Sequence, residues 1–438
     1  MLERFFRLRE AGTTLRAELI GGVTTFVTLS YIIFVQPTVL SVAGMDFGAV
    51  LVATCLASAL ATLFMGLYAN YPFALAPGMG HNFFFAYTVV VGMGVPWRVA
   101  LGADFLAGAL FVALSAFRIR EAVMDAIPPA LKAAIPVGIG LLITFVGMQW
   151  GGIIVANPGS LVKLGRLTSP PALLALGGFL LIAVLNLRKV PGAILLGVLA
   201  TTATGALLGL LPYEGIVGAP PSLAPTLLQL DIGAAFAPRY LDVVLVFLFL
   251  AVFDTVGTLI GVSAQAGFLR DGTLPRAGRA LFADAVGTTA GTLLGTSTVT
   301  AYIESAAGVA AGARTGLASG VTAGLLLLSV FFYPLARLMG GGVEVGGATL
   351  HPVTATALMT IGYLMIGNVT HIRWDDLGEA IPAFLTVVTM PLAFSIADGL
   401  TVGFISHAAL KLLSGRGREV SWLAYLLAGL FVLRLTVL

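Results

Sequence analysis

The sequence predicts an all-α integral membrane protein whose 14 transmembrane segments form two inverted repeats of seven. Two features of the composition support a membrane fold: 58% of the 438 residues are hydrophobic, and only 10% are charged. The mean hydropathy is +1.03. Soluble domains carry about 25% charged residues, and no soluble core could bury this much apolar surface. We therefore expect lipid or neighbouring helices to cover most of it.

The individual spans follow from the length of each apolar stretch, because a transmembrane helix needs roughly 20 apolar residues. The first half predicts spans near 17–36, 47–70, 74–91, 96–117, 130–151, 171–187 and 191–211. The second half predicts spans near 240–262, 280–294, 296–313, 315–338, 347–366, 378–394 and 396–413. One more apolar stretch lies at 421–436. We expect it to form a short or in-plane helix, with an additional span as the alternative.

The basic side chains indicate the orientation of these spans, since cytoplasmic loops of membrane proteins are rich in Lys and Arg. With the N-terminus in the cytoplasm, the predicted outer loops hold Arg98, Lys163, Arg166, Arg239 and Arg337. The larger set falls on the cytoplasmic side: Arg118, Arg120, Lys132, Arg188, Lys189, Arg270, Arg276, Arg279, Arg314, Arg373, Lys411, Arg416 and Arg418. This asymmetry explains the net charge of +3 without a nucleic-acid partner.

The sequence pattern divides the chain into two similar halves, joined by a polar linker at 212–239. Each half has a short third span that Gly, Pro or Thr interrupts, at 71–87 and at 295–311. Seven spans per half place the halves in opposite orientations. Interrupted helices at matching positions of inverted repeats indicate the binding site of a secondary transporter.

The two interruptions have a predicted form. Pro72 and Pro77 cannot both lie inside one regular helix. We therefore expect extended backbone near 73–78 and a half-helix starting near Asn82. The matching span has a β-favouring stretch at 296–300, followed by a half-helix from about Ile303. Irregular backbone at this depth is tolerated only within protein or around a wet cavity.

Two acidic residues lie within the most apolar stretches. Asp254 lies in 243–262, and Glu304 lies in 297–309, beside the second interruption. Ionisable residues inside a membrane cost several kcal/mol, and they usually mark a functional site. We expect the pair to bind a polar ligand at mid-membrane, with a proton that can be gained and lost. The alternative is a pair of structural acids bonded to nearby hydroxyls.

Polar and aromatic residues follow the first interruption. Asn82 is either a helix cap or part of the site. His81 is either a proton relay or a satisfied side chain near the cavity. The aromatic run at 83–85 either stacks on a planar ligand or packs in the core. Gln36, at the end of the first span, is a further candidate to face the cavity.

No motif indicates an enzyme. The chain has no P-loop, no H-E-x-x-H and no C-x-x-C, which excludes an ATP-driven pump of the P-loop type. An intramembrane aspartyl protease would need a second central Asp beside Asp254. An anion transporter is disfavoured because two acids would repel its substrate. A passive channel lacks a repeated pore-lining filter.

Five segments resemble the nucleobase–cation symporter-2 family, in its adenine/guanine/hypoxanthine permease branch, within the uracil/xanthine permease superfamily. They extend almost from end to end of the chain: TTFVTLSYIIFVQP at 24–37, NYPFALAPGMGHNFFFAYTVV at 70–90, FDTVGTLIGV at 253–262, TSTVTAYIESAAGVAAGARTGL at 296–317 and MPLAFSIADGL at 390–400.

The resemblance implies the 14-span inverted repeat and a division into core and gate domains. It assigns the core to 1–117 and 240–338, the gate to 118–211 and 339–438, and a linker to 212–239. It implies proton-coupled import of adenine, guanine or hypoxanthine across the cell (inner) membrane by alternating access. It also implies a homodimer. No cofactor or metal is expected, and the proton is the coupling ion. The alternatives are transport of xanthine or uracil, or of a small anion.

The resemblance also implies site residues. Asp254 and Glu304 would hydrogen-bond the base, and backbone N–H groups near Phe83 and Ile303 would add contacts. Thr258 lies one turn after Asp254, where uracil-transporting relatives have a histidine. We include Asn82 in the substrate site, and we assign proton coupling to Glu304, Asp254 and His81. The branch usually has an aliphatic residue and Ala at the positions of His81 and Phe83, and a second Thr at the position of Ala301.

Overall fold

A computed structural model describes residues 2–116, 128–269 and 274–437. Arg118, Arg120 and Arg270, which the topology prediction assigns to the cytoplasmic side, lie outside these residues. The described chain is mostly helical. Its first half contains α1 (Leu2–Phe5), α2 (Leu15–Leu29), α3 (Ile32–Val42), α4 (Phe47–Phe64), β1 (Leu75–Pro77), α5 (Met79–Phe83), α6 (Trp97–Ala116), α7 (Pro129–Trp150), β2 (Ile154–Asn157), β3 (Leu161–Leu164), α8 (Pro170–Leu187) and α9 (Ala193–Leu207).

The second half repeats this alternation of long and short elements. It contains α10 (Ile232–Ala235), α11 (Leu241–Ala266), α12 (Ala277–Leu294), β4 (Val299–Ala301), α13 (Ser305–Ala310), α14 (Gly316–Leu328), α15 (Tyr333–Gly340), β5 (Val343–Val345), β6 (Ala348–Leu350), α16 (Pro352–Ile366), α17 (Leu377–Ala393), α18 (Ile396–Leu413) and α19 (Trp422–Val437). Stretches of π-helix follow α4 and α5, at Met65–Ala69 and Phe84–Gly92.

Within the described ranges, nine helices are long and apolar enough to cross a membrane. They are Leu15–Val42, Phe47–Ala69, Trp97–Ser115, Pro129–Trp150, Pro170–Leu187, Pro238–Ala264, Gly316–Gly340, Pro352–His371 and Ile396–Leu413. Shorter apolar helices lie at Ala193–Leu207, Leu377–Ala393 and Trp422–Leu433. The prediction of a multi-pass helical membrane protein is confirmed, whereas the count of 14 spans stays a prediction.

The helices pack mainly into two groups. The core group, as we use the name, comprises α2–α6 and α11–α15, in which α12 packs on α4 and α6, and α14 packs on α2 and α4. The gate group comprises α7–α9 and α16–α18, in which α7 packs on α16 and α17, and α8 packs on α9 and α16. The candidate site lies where α11 and the interrupted spans of the core group face α7 and α16 of the gate group.

Glycines permit the closest contacts inside the core group. A Cβ atom on Gly316, at the start of α14, would lie 1.9 Å from the backbone oxygen of Gly66. A Cβ atom on Gly66 would in turn lie 2.6 Å from the backbone oxygen of Gly316. Only residues without a side chain allow the two backbones to approach this closely, as in other packed membrane helices.

A charged network closes one end of the gate group. Arg416 donates two 2.9 Å hydrogen bonds to Asp376, one to each carboxyl oxygen. Lys411 is buried, and its Nζ lies 2.9 Å from both Glu379 and Glu419. The hydrogen bonds from Arg416 lower the pKa of Asp376 to about 2, and bonds from Arg416 and Lys411 lower that of Glu419 to about 2. These pairs join the start of α17 to the end of α18.

The connecting and terminal segments agree in part with the sequence prediction. The region predicted as a linker, 212–239, contains the short helix α10 and leads into α11 through a 3₁₀ turn at Pro238–Tyr240. The apolar stretch predicted at 421–436 is helical and packs on α18, where the rings of Phe404 and Phe431 lie 5.6 Å apart. Its orientation in the membrane stays a prediction.

Candidate functional site: a cavity at two interrupted spans

The two interrupted spans meet through their extended segments. β1 and β4 pair antiparallel, with Leu75 opposite Ala301. The N–H group of Gly78 extends the pairing with a 3.0 Å hydrogen bond to the carbonyl of Thr298. The prediction of extended backbone in both spans is therefore confirmed. The strands satisfy part of each other's backbone groups, and side chains such as Thr62 bond to others, as unwound chain in an apolar environment requires.

Two buried aspartates hold β4 and the residue before it in place. Asp104 on α6 accepts a 2.7 Å hydrogen bond from the N–H group of Thr298, and the Thr298 hydroxyl donates to the same carboxyl group. Asp284 on α12 accepts from the N–H group of Ala301 at 2.8 Å and from the Thr255 hydroxyl at 2.5 Å. Buried carboxyl groups are tolerated when such bonds satisfy them. These two acids therefore position the backbone of the second interruption.

A buried amide pair joins the first span to both interruptions. Gln36 donates through Nε2 to Thr296 at 3.0 Å and to Ser297 at 2.9 Å, and its Oε1 accepts from Asn82 at 2.7 Å. Neither amide lines the cavity. The hypothesis that Gln36 faces the cavity is wrong. The cap interpretation of Asn82 is also wrong, because Gly78 occupies the N-cap position and Asn82 lies inside α5.

A cavity of about 410 Å³ lies between the core and gate groups. This volume falls within the range of about 300–1,000 Å³ that is usual for small-molecule sites. The gate side contributes Ile135, Pro136, Ile139 and Met365, so it is largely apolar, with Lys132 and Asn368 as its polar members. The core side contributes Gly80, His81, Leu250, Phe253, Asp254, Val256, Gly257, Thr258, Ile260 and Ile303.

Asp254 and His81 form the polar part of the core side. Nδ1 of His81 lies 3.8 Å from Oδ2 of Asp254, which is too long for a hydrogen bond. The Asp254 side chain is 43% exposed, whereas that of His81 is 1% exposed. A Cβ atom on Gly78 would lie 2.5 Å from His81 Nδ1 and 3.1 Å from Asp254 Oδ2. Both groups therefore lie over the bare backbone of the first interruption.

Glu304 lies at the N-terminal end of α13, beside the cavity. Its Oε1 accepts a 2.6 Å hydrogen bond from the hydroxyl of Tyr31. Its neighbour Ile303 is 63% exposed and lines the cavity, whereas Glu304 itself is absent from the lining. Asp254 and Glu304 are close enough to interact electrostatically. The structure thus brings both predicted acids to one region, with Asp254 in direct contact with the cavity.

The other predicted substrate residues have different positions. Thr258 lines the cavity one turn after Asp254. Phe83 is fully buried, and its ring stacks on Tyr87 at a centroid distance of 5.6 Å. The first half-helix begins at Met79, earlier than predicted, because Gly78 ends the extended segment. Gly80 and His81 in its first turn line the cavity, whereas Phe83 does not, and a contact from Phe83 stays a prediction.

Sequence reasoning did not assign a role in the site to Asp104, Tyr31 or Lys132. Asp104 is an isolated acid in a predicted span, which is the signal that singled out Asp254. Tyr31 lies in the segment 24–37, which carries part of the family resemblance, but nothing in its spacing points to Glu304. Lys132 entered only the topology prediction, and α7 places it on the cavity wall.

A second cavity, of about 550 Å³, is larger but does not resemble a polar-ligand site. It lies between α8 and α9, and apolar residues form most of its wall. Its hydroxyl groups are Thr201 and Thr204, and each donates to a carbonyl of its own helix. A site that recognises a polar ligand needs convergent polar groups. Within residues 2–116, 128–269 and 274–437, no three His, Cys, Asp or Glu side chains form a metal-binding group.

Comparison with known proteins places the chain in a family. Residues 16–402 match the family described as the Permease family. The chain belongs to this family. The match covers both interrupted spans, α11 and the cavity, so the family assignment includes every element of the candidate site. The resemblance drawn from the five sequence segments is thereby confirmed.

Two relatives match over almost the entire chain. Adenine permease AdeP of Escherichia coli (strain K12) is 44% identical over 436 residues, which covers 99% of this chain and 96% of the relative. Guanine/hypoxanthine permease PbuG of Bacillus subtilis (strain 168) is 45% identical over 443 residues, which covers 98% of each. Both are named as permeases, in agreement with the absence of enzyme motifs from this sequence.

A solved structure shares the fold at low sequence identity. The transmembrane domain of a cyanobacterium bicarbonate transporter, BicA, aligns with a TM-score of 0.66 and 17% identity, covering 87% of this chain and 97% of that domain. This likeness shows that the two proteins share an arrangement of helices, and it carries no information about the substrate.

Proposed function

We propose that this permease imports purine nucleobases by proton-coupled alternating access, with the cavity at the two interrupted spans as its substrate site. The carrying observation is that Asp254, His81 and Thr258 converge on a cavity of suitable size with a largely apolar opposite wall. The names of the relatives, which specify adenine and guanine/hypoxanthine, give the substrate class.

The cavity chemistry suits a planar, neutral base. Carboxylates accept hydrogen bonds from ring and exocyclic N–H groups, whereas backbone N–H groups donate to carbonyl or ring nitrogen acceptors. Asp254 supplies such an acceptor, and the N-terminal end of α5 supplies backbone donors. Ile135, Ile139 and Phe253 provide apolar surface for the faces of the ring. A small anion fits less well, because Asp254 and Glu304 would repel it.

We propose Glu304 and Asp254 as the coupling acids, with His81 as the third titratable group of the set. An unpaired carboxylate is costly to move through a low-dielectric region. Protonation, or pairing with substrate, removes that cost and allows the core group to move against the gate group. The hydrogen bond from Tyr31 holds Glu304 in position to accept a proton or to pair with the substrate.

We extend this proposal to the topology and the assembly. The nine long helices, together with α9, α12, α17 and the two interrupted segments, make 14 spans. The N-terminus would lie in the cytoplasm of a cell with the protein in its inner membrane. A homodimer would agree with the family resemblance.

The decisive experiment measures uptake of radiolabelled hypoxanthine by cells that express the full chain, with a panel of competing bases. We expect unlabelled purines to compete, inorganic anions to have no effect, and a protonophore to abolish accumulation. Competition by bicarbonate or sulfate, with none by purines, would support the anion alternative. The variant Glu304→Gln should lose accumulation against a gradient, whereas Glu344→Gln, in the exposed strand β5, should retain it.

A further inference from the structure

His81 combines almost complete burial with unmet hydrogen-bonding capacity. Its exposure is 1%, and neither ring nitrogen has a hydrogen-bond partner among the described residues. A neutral imidazole carries one N–H donor and one lone-pair acceptor. Leaving a buried donor or acceptor unsatisfied destabilises the protein. His81 also lines the cavity, so a ligand bound there can supply the partner that the ring lacks.

The surroundings of His81 favour one of its two nitrogens as the donor. Nδ1 faces Oδ2 of Asp254 at 3.8 Å, and Gly78 leaves the space between them clear. A carboxylate only accepts hydrogen bonds, so its negative charge favours the tautomer with the proton on Nδ1. Nε2 then presents a lone pair. The core wall thus offers two neighbouring acceptors, the Asp254 carboxylate and His81 Nε2.

We infer that His81 is a specificity-determining residue that selects purines bearing an exocyclic amino group. This inference rests on the proposed nucleobase transport, and it adds a substrate preference to it. An amino group carries two N–H donors on one nitrogen, so one group can donate to Asp254 and to His81 together. The 6-amino group of adenine and the 2-amino group of guanine have this property, whereas hypoxanthine has no amino group.

An aliphatic residue at this position would remove the acceptor from the wall. Sites that bond a polar group of the substrate discriminate strongly against analogues that lack that group, because their own polar atoms then remain unpaired. His81 should therefore affect the choice between bases, and the ratio of competition constants reports this choice whatever the effect on accumulation. Acceptance of the amino group requires a neutral ring.

The test compares bases that differ only in the amino group. Competition constants for guanine against hypoxanthine, and for adenine against unsubstituted purine, are measured by uptake inhibition in proteoliposomes containing the purified full chain. Wild type should favour the amino-bearing base of each pair. The variant His81→Leu should reduce this preference about two- to tenfold, the effect of one hydrogen bond. His81→Asn, whose amide oxygen is an acceptor, should restore part of it.

The exposed His371 offers a matched control. His371→Leu makes the same chemical change away from the cavity and should leave both ratios unchanged. An unchanged ratio in a transporting His81→Leu variant would overturn the inference, as would loss of accumulation without a change in ratio. Equal constants for guanine and hypoxanthine in wild type would overturn it even if the variants fail to fold. Absence of competition by every purine would instead refute the proposed function.

Discussion

The hydroxyl of Tyr31 donates a 2.6 Å hydrogen bond to Oε1 of Glu304, and so joins the first span of the core group to the second interrupted span. Hydrogen bonds to charged groups are shorter and stronger than neutral ones. This one fixes the orientation of the acid that we propose as the main coupling group. The contact connects two segments that the sequence alone gives no reason to pair.

Removing the Tyr31 hydroxyl should impair transport without unfolding the protein. A hydrogen bond to a charged group contributes about 1.5–3 kcal/mol, so Tyr31→Phe should lower the initial rate of purine uptake at least about tenfold. The measurement is uptake normalised to the amount of protein in the membrane. Tyr363→Phe, at a side chain that is 64% exposed, serves as the control. Uptake by Tyr31→Phe equal to that of the control would show that the bond has no role in transport.

The bonds from Asp104 to Thr298 should matter for stability. Asp104→Ala leaves the buried N–H group of Thr298 without its acceptor, at a cost of about 1–3 kcal/mol for that group. Thermal unfolding of the purified protein in detergent should show a lower midpoint for Asp104→Ala than for Asp375→Ala, which changes an exposed residue. Equal midpoints for the two variants would mean that β4 does not depend on Asp104.

Because Gly316 approaches Gly66 so closely, we expect the effect of a Gly→Ala substitution in α14 to depend strongly on its position. Gly316→Ala would place a methyl group 1.9 Å from a backbone oxygen, so the helices would have to separate. We expect a large fall in the yield of folded protein on size-exclusion chromatography. Gly320→Ala on the same helix meets no atom within 4 Å, and it should keep or raise stability by up to about 1 kcal/mol. Similar yields for both variants would contradict the packing described.

The charged network at the end of the gate group predicts a dependence of stability on pH. Asp376 and Glu419 have pKa values of about 2 in the folded protein, below their ordinary values near 4. A depressed pKa contributes stability above the ordinary value, and this contribution is lost as the pH falls from about 4.5 towards 2. Thermal midpoints measured across this interval should therefore fall in wild type.

Arg416→Gln tests the origin of this effect, because Arg416 contributes most to both pKa shifts. The variant should be less stable at pH 7, and its midpoint should change less between pH 4.5 and 2. Lys163→Gln replaces an exposed cation outside the network and should follow the wild-type curve. If the thermal midpoint of Arg416→Gln falls with pH in parallel with that of wild type, the network is not the cause of the pH dependence.

The interrupted spans show how far the sequence predicts the site. Pro72, Pro77 and Gly78 predict extended backbone in the first span, because their constraints on the chain are local. Pairing of β1 with β4 joins distant parts of the chain, so no local pattern gives its register. The helix start near Asn82 was misplaced because the Asn82 side chain bonds to Gln36 instead of capping the helix.

Asp254 and Asp104 show a second limit of prediction from the sequence. An isolated carboxyl group in an apolar stretch marks Asp254 and Asp104 equally well. The structure gives them different positions, since Asp104 binds backbone in the core group and Asp254 lines the cavity. What separates the two cases is the identity of the tertiary partner, and one sequence does not contain that information.

The pairing of β1 with β4 also determines when, during its synthesis, the protein can form its binding site. β1 emerges from the ribosome long before β4, and until β4 is made, the backbone groups of β1 that pair with it lack their partners. The helices of the first half must therefore remain shielded until those of the second half are made. A chain cut between α9 and α11 would insert helices without creating a binding site, and co-expression of both pieces would be needed to restore one.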